Sequence, residues 1–344
     1  MTKPFDPFGR ASSPEVVAPL ALFAGAEPPQ TPWFKAAVAI KPERSTVSVG
    51  GAAIELLTWG NRGKPGLLFV HGNSAHADWW SFIAPLFADD YRVAALSLSG
   101  MGGSDWRDAY SFETYAQELR ACAEAAGLYD APDLPTFIGH SFGGAVVFYA
   151  AAVFPQWMRA GILIDTGFGG PPTAEDIARY EKANGVVEGA AGRWRDPFAR
   201  DRPNRVYPTL QAALARFRFM PPQVPGDLGI TDFIARHALK RAPVPDAASG
   251  DPDGWTWRFD PMMMKKFNHA DLFALHGRDV KRVAHIIGDR SALTDPDIFA
   301  RAHADLMPAD APKIVIPDCA HHVMVDQPLA LVAALRTLLA VWPA

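Results

Sequence analysis

The chain has 344 residues, of which 49% are hydrophobic and 20% are charged, and its formal net charge is −4 at pH 7. This composition excludes a disordered chain, and the small negative charge excludes an overall attraction to nucleic acids or anionic membranes. Two distant cysteines exclude a disulfide scaffold and favour a reducing compartment. No segment has the pattern of a signal peptide or the length of a membrane span, so we expect a soluble, cytoplasmic protein.

The first predicted elements lead into a buried sheet. Residues 1–35 are rich in proline and small residues, and we predict an extended arm on the surface. The alternating segments STVSV and AAIELLTWG then predict edge strands, and the apolar run PGLLFVHGN predicts a buried strand. YRVAALSLSG predicts the next strand. SFETYAQELRACAEAAG predicts a helix that Ser111 caps and Gly127 ends.

The second half of the chain repeats this alternation after an interruption. LPTFIG and RAGILID predict buried strands on either side of an apolar helix, GGAVVFYAAAVFP. Alternation stops after Asp165 and resumes with VAHIIG, DPDIFARAHADLM, KIVIP and PLALVAALRTLLAVW. We therefore predict an α/β protein with a mostly parallel, doubly wound sheet. Residues 36–168 and 282–344 would form its core, and residues 169–281 would form an inserted helical cap.

A GHSFG pentapeptide stands between a predicted strand and a predicted helix, with Ser141 at its centre. It fits the G-x-S-x-G pattern, in which a sharp turn holds the serine hydroxyl above the sheet at the positive end of a helix. Ser141 is therefore either a helix N-cap or a nucleophile. The segment FVHGN favours the nucleophile, because it would bring the backbone N–H of Asn73 beside that of Phe142 to form an oxyanion hole.

The segments HGN, LSGMGGSD, GHSFGG and HHVMVDQP occur in the order found in the α/β-hydrolases. From about residue 35 to its C-terminus, the chain resembles a cap-bearing serine hydrolase of that family. The resemblance implies an α/β-hydrolase fold, an esterase-type activity and a catalytic histidine on the loop before the last helix. His321 is the preferred candidate because it lies five residues before Asp326; His322 is interpreted as a neighbouring or loop-packing residue.

The catalytic acid is the point at which the chain departs from the family pattern. The loop that usually carries it, as G-x-x-D, reads GDRS here, at residues 288–291. Some family members, including certain haloalkane dehalogenases, place the acid at the end of the strand after the nucleophile helix, where this chain has Asp165. We prefer Asp165 over Asp289, although Asp165 is alternatively a cap at the entrance to the inserted segment. Asp295 and Asp297 are interpreted as helix caps.

The inserted segment gives weaker information about the substrate. Its aromatic residues favour either an apolar or aromatic ester or simple packing of the cap on the core: Trp194, Phe198, Phe217, Phe219, Trp255 and Trp257. Its arginines indicate either a solvated face or a carboxylate site: Arg193, Arg195, Arg200, Arg202 and Arg205. His76 either lines the pocket or is a loop residue without a function.

These patterns together predict hydrolysis of a small-molecule ester through an acyl-enzyme, with no cofactor or metal. A serine nucleophile argues against dehalogenation and against epoxide hydrolysis, for which the resembling enzymes use an aspartate. The alternatives are a lyase or cofactor-free oxygenase on the same scaffold, or a non-catalytic receptor. We expect neither a nucleic acid nor a membrane as partner, and the sequence leaves a homo-oligomer open.

Overall fold

The computed structural model describes residues 13–167, 202–243, 253–268, 275, 280–291 and 310–341. The helices in these ranges are α1 (Pro14–Val17), α2 (Pro32–Ala39), α3 (Phe112–Ala125), α4 (Phe142–Val153), α5 (Leu210–Leu214), α6 (Leu228–His237), α7 (Val323–Asp326) and α8 (Pro328–Val341). The strands are β1 (Glu43–Val49), β2 (Ala52–Trp59), β3 (Gly66–Val70), β4 (Arg92–Leu96), β5 (Tyr110–Ser111), β6 (Thr136–His140), β7 (Ala160–Ile164), β8 (Leu239–Pro243), β9 (Asp253–Trp257), β10 (Phe267–Asn268), β11 (Val283–Gly288) and β12 (Lys313–Ile316).

The centre of the molecule is an eight-stranded sheet in the order β1-β2-β4-β3-β6-β7-β11-β12. The pairs β1–β2 and β2–β4 are antiparallel, whereas every pair from β4 to β12 is parallel. This confirms the mostly parallel α/β sheet predicted from the sequence. The DPDIFARAHADLM segment lies outside the described residues.

The parallel strands are apolar throughout because both faces of the sheet are covered. In β3, Leu67 and Phe69 pack into the core layer that contains α2 and α8, whereas Leu68 and Val70 pack into the layer that contains α3 and α4. Successive side chains of a strand point to opposite faces, so one strand supplies both layers. Helix α4 lies directly against this sheet, which explains why it is apolar almost all round.

The described part of the N-terminal segment differs from the extended surface arm that we predicted. It contains α1 and α2, and it buries Leu20 and Phe34 in the core. The Phe34 ring lies 5.7 Å from the ring of Phe82 and 5.7 Å from that of Phe233, between centroids. Prolines are compatible with this arrangement, because Pro14 and Pro32 are the first residues of their helices, where a missing N–H costs nothing.

The segment between β7 and β11 is inserted between two strands that are neighbours in the sheet. Its described parts hold α5, α6 and the β8–β9 hairpin. Phe217 and Phe219 are buried in the core, and Trp255 and Trp257 pack against it. These four aromatic residues therefore support the packing interpretation of the cap. Arg202 and Arg205 are exposed, and the other aromatic and arginine residues singled out from the sequence lie outside the described residues.

The fold brings six loops to one edge of the sheet. Strands β3, β4, β6, β7, β11 and β12 are parallel, so their carboxyl ends meet there. This is the edge at which open α/β sheets bind ligands. Among the described residues, no helix is both long and apolar enough to cross a bilayer.

Candidate active site

Ser141 sits on a sharp turn between β6 and α4. Its backbone has φ 53° and ψ −121°, a conformation that side-chain-bearing residues rarely adopt and that costs about 1–3 kcal/mol. Glycines make the turn fit: a Cβ at Gly139 would collide with the backbone of Gly143, and a Cβ at Gly143 would collide with the His71 carbonyl. The crowding that the G-x-S-x-G pattern implies is therefore present, and it leaves the Ser141 side chain partly exposed.

The Ser141 side chain does not cap helix α4. It stands at the N-cap position but makes no capping hydrogen bond, in contrast to Ser111, which accepts from the Thr114 N–H at the start of α3. Instead, Ser141 Oγ lies 2.9 Å from Nε2 of His321. The hydroxyl thus faces an imidazole from the loop between β12 and α7, and the N-cap interpretation has no support from the geometry.

His321 also contacts Asp165, which follows β7 directly. Its Nδ1 lies 3.1 Å from Asp165 Oδ1, and the two residues are only 2% and 1% exposed. A buried carboxylate needs hydrogen-bond donors. Besides His321, Asp165 accepts from Gly288 N–H at 3.0 Å on Oδ2 and from the Ser291 hydroxyl at 2.6 Å on Oδ1. The three preferred residues of the sequence analysis therefore form one hydrogen-bonded chain.

The alternative acid, Asp289, lies elsewhere. Its Oδ1 accepts the backbone N–H of Cys319 at 3.0 Å, and this hydrogen bond lowers the pKa of the Asp289 carboxyl. Asp289 is exposed to solvent, and within the described ranges no hydrogen bond or ion pair joins it to His321. The hydrogen bond from Cys319 to Asp289 stabilises the loop that leads to His321. Asp295 and Asp297 lie outside the described residues.

The two proposed oxyanion donors lie on loops that touch. A Cβ at Gly72 would lie 3.2 Å from the Ser141 Cβ, which places the loop carrying Asn73 against the turn. Within the described part of the chain, the backbone N–H groups of Asn73 and Phe142 donate to no protein group. The N–H of Phe142 lies at the start of α4, and an N–H in that position is typical of an anion site. The Phe142 ring is anchored separately, against Phe112, Tyr115 and Phe267.

His71 holds the first of these loops in place. Its Nδ1 donates to the Gly72 carbonyl at 2.7 Å, and its Nε2 accepts the Leu98 N–H at 3.0 Å. The Leu98 donor fixes the neutral tautomer, because an Nε2 that accepts cannot carry a proton. This role of His71 was not predicted from the sequence. The feature that indicates it there is the position of His71 before a glycine at the end of a buried strand.

His322 packs beside the site rather than replacing His321. Its Nδ1 donates to Gln223 Oε1 at 2.7 Å, and its backbone N–H donates to the same oxygen at 2.9 Å. Gln223 Nε2 in turn donates to both oxygens of Asp326 at 3.0 Å. Asp326 also accepts the Ala320 N–H at 2.9 Å, so these contacts hold both ends of the short loop that contains His321.

Two further histidines are buried near the site. His140 Nε2 donates to the His321 carbonyl at 3.0 Å, which ties the turn to the histidine loop. His76 Nε2 donates to the Ile234 carbonyl at 3.1 Å, so His76 joins the loop after β3 to α6 rather than facing an open pocket. Burial lowers the pKa of both imidazoles to about 3, and it lowers the pKa of His71 to about 4. These side chains are therefore neutral at pH 7.

The buried histidines predict a loss of stability in mild acid. Below the ordinary pKa of 6.5, the unfolded chain binds protons on His71 that the folded chain excludes down to pH 4. The free energy of unfolding is therefore highest above pH 6.5. It falls as the pH is lowered below that value, by about 1.4 kcal/mol per pH unit for each such histidine. His71→Gln keeps a donor and an acceptor and removes one titrating group. We expect the free energy of unfolding, measured with urea at several pH values between 7 and 5, to fall less steeply with decreasing pH in the variant than in the wild type. Equal pH dependence in the two proteins would contradict this account.

Among the described residues, no group of three or more histidine, cysteine or carboxylate side chains is arranged to hold a metal ion. What the arrangement offers is a hydroxyl, an imidazole and a carboxylate in series, beside two free N–H groups. That combination is suited to acyl transfer.

Comparisons with known proteins bear on the family and the fold of the chain. The family model described as the alpha/beta hydrolase family matches residues 67–335. The esterase Rv0045c of Mycobacterium tuberculosis is 26% identical over 311 residues, covering 87% of this chain and 89% of that protein. A serine hydrolase-like protein of Danio rerio is 29% identical over 168 residues, and the match spans about half of each protein, 48% in both cases. The solved structure of E-2-(acetamidomethylene)succinate hydrolase has a TM-score of 0.63 at 18% identity, over 87% of this chain and 99% of that one, which supports the fold alone.

Proposed function

Since this chain belongs to the α/β-hydrolase family, we propose that it is a serine hydrolase that cleaves a carboxylic ester, or a related acyl bond, of a small molecule through an acyl-enzyme. The observation that carries the proposal is the continuous hydrogen-bonded chain from Ser141 through His321 to Asp165. Of these three residues, Ser141 is partly exposed, whereas His321 and Asp165 are buried. A substrate can therefore reach the hydroxyl while the imidazole and the carboxylate remain shielded from solvent.

Acylation begins with proton transfer from Ser141 to His321. Asp165 accepts the Nδ1–H of the imidazole, which leaves Nε2 unprotonated and aimed at Ser141 Oγ. As Oγ attacks the acyl carbon, Nε2 takes its proton, and the Asp165 carboxylate stabilises the imidazolium that forms. The imidazolium then protonates the leaving alcohol. Water, deprotonated by the same imidazole, attacks the acyl-enzyme and releases the acid.

The negative oxygen that forms at the carbonyl needs donors that are already in position. The N–H groups of Asn73 and Phe142 supply them, and the N-terminus of α4 adds a favourable potential. Neither N–H has to break a protein hydrogen bond within the described residues before it binds the oxyanion. Losing one such donor costs about 100- to 1000-fold in rate in comparable enzymes.

The described residues indicate the type of reaction more closely than the type of substrate. We place the cap at residues 169–281 and infer that it covers the proposed site. The described aromatic residues of this segment pack on the core, so they do not by themselves favour an aromatic ester. An apolar or aromatic acyl group therefore stays a prediction, and p-nitrophenyl esters of increasing chain length, with a benzoate among them, would test it.

Pre-steady-state hydrolysis of p-nitrophenyl butyrate tests the reaction class. An acyl-enzyme that forms faster than it hydrolyses gives a burst of p-nitrophenol equal to the enzyme concentration. We expect this burst, together with covalent labelling by a fluorophosphonate probe. Labelling without turnover of any ester would favour a lyase or an oxygenase on the same scaffold, and the absence of both would favour a receptor.

A further inference from the structure

Ser291 occupies the position at which the resembling enzymes carry their catalytic acid. It stands three residues after the end of β11, and it is only 6% exposed. Its Oγ lies 2.6 Å from Asp165 Oδ1, the same oxygen that faces His321 Nδ1 at 3.1 Å. A serine at this position is thus in direct contact with the carboxylate on the neighbouring strand.

The direction of this hydrogen bond follows from chemistry. An ionised carboxylate has no proton to give, so the Ser291 hydroxyl donates and Asp165 accepts. The Gly288 N–H holds the other oxygen at 3.0 Å. Besides His321, each oxygen of Asp165 therefore accepts one hydrogen bond, Oδ1 from Ser291 and Oδ2 from Gly288. These two hydrogen bonds set the plane of the carboxylate. Hydrogen bonds to charged groups are the stronger kind.

We propose that Ser291 is a positioning residue for Asp165, an inference that rests on the proposed serine hydrolase. Its hydroxyl orients Oδ1 toward His321 Nδ1. Among the described residues, the Ser291 hydroxyl contacts Asp165 and makes no hydrogen bond with Ser141 or His321, so its proposed effect on the reaction passes through Asp165. Its effect should appear in the chemical steps and not in substrate binding.

Ser291→Ala is the direct test. Without the hydroxyl, Oδ1 interacts with His321 alone and the carboxylate is free to turn about Gly288. We expect kcat for p-nitrophenyl butyrate to fall about ten- to hundredfold, the fold-change that corresponds to one hydrogen bond to a charged group. We expect KM to change less than twofold, because no substrate contact is lost. The acid limb of the kcat–pH profile should move to lower pH, since a carboxylate that turns away from Nδ1 stabilises the imidazolium less.

Two companion variants separate positioning from a merely structural role. Ser291→Thr keeps the hydroxyl and should recover most of kcat. Ser81→Ala removes a comparable buried bond, from Ser81 Oγ to Asp78 Oδ1 at 2.9 Å, away from the site, and should leave kcat and the acid limb unchanged. Thermal unfolding of all three reports any loss of stability. If Ser291→Ala keeps the wild-type kcat and acid limb, or if threonine restores stability but not kcat, the proposal is overturned.

A spectroscopic readout distinguishes failure of this inference from failure of the proposed function. The Nδ1–H proton of His321, observed by NMR in 15N-histidine-labelled protein, should move upfield in Ser291→Ala, because its bond to a carboxylate that is no longer held in place is longer. An upfield shift in a protein that hydrolyses no ester supports the positioning role and overturns the hydrolase. An unmoved resonance in a protein that hydrolyses esters overturns the positioning role alone.

Discussion

Ser141→Ala is expected to abolish hydrolysis, with a loss of about 10⁶-fold in kcat, as for removal of the nucleophile in other serine hydrolases. The Ser141 hydroxyl lies 2.9 Å from His321 Nε2. Alanine cannot form the acyl-enzyme, and the imidazole loses its proton donor. The measurement is steady-state turnover of p-nitrophenyl butyrate, together with fluorophosphonate labelling, which should disappear completely.

The control for this prediction addresses folding. Serine and alanine are both strained at the positive φ of this turn, so the variant should unfold at nearly the wild-type temperature. Ser48→Ala, at an exposed position of the edge strand β1, should keep both turnover and labelling. If Ser141→Ala still hydrolyses the ester at a comparable rate, another nucleophile or a non-covalent mechanism operates, and the proposed function fails.

Asp165→Asn should reduce kcat by about 10⁴-fold, the loss observed when a triad aspartate becomes an amide. Both Asp165 oxygens accept hydrogen bonds, from Gly288 on one side and from Ser291 and His321 on the other. An asparagine NH2 group facing His321 would donate to Nδ1 and place the proton on Nε2. The imidazole could then no longer accept the Ser141 proton.

Asp289→Asn is the matched control for the acid. Its carboxylate accepts the Cys319 N–H, and asparagine retains an oxygen that can do the same. We therefore expect nearly full turnover, measured with the same ester at saturating concentration. The opposite result, with Asp165→Asn active and Asp289→Asn inactive, would transfer the acid role to Asp289 and remove the basis for the Ser291 inference.

Much of the fold was predictable because its signals are local. Each parallel strand is a short apolar run, and the helices that follow carry recognisable starts and ends, such as Ser111 and Gly127 around α3. The order of strands then determines which loops meet at the carboxyl edge. That is why Ser141, His321 and Asp165 could be placed near one another from the sequence.

The contacts that complete the site could not be predicted in this way. Ser291 and Asp165 are 126 residues apart, and Gln223 and Asp326 are 103 apart, so no local pattern links them. The burial of Phe34 was missed for a related reason. Its partners, Phe82 and Phe233, come from distant parts of the chain, and a proline-rich composition gives no indication of them.

The hydrogen bonds of Gln223 limit how this protein can be engineered. The inserted segment of one protein can be transplanted into a related one to change its specificity. This strategy assumes that the rest of the chain makes no essential contact with the segment it loses. Here a chimaera that lost Gln223 would leave the Asp326 carboxylate short of two hydrogen bonds and the His322 imidazole without its acceptor. A recombinant design should therefore keep the native residues 222–227 and make its splice points on either side of them.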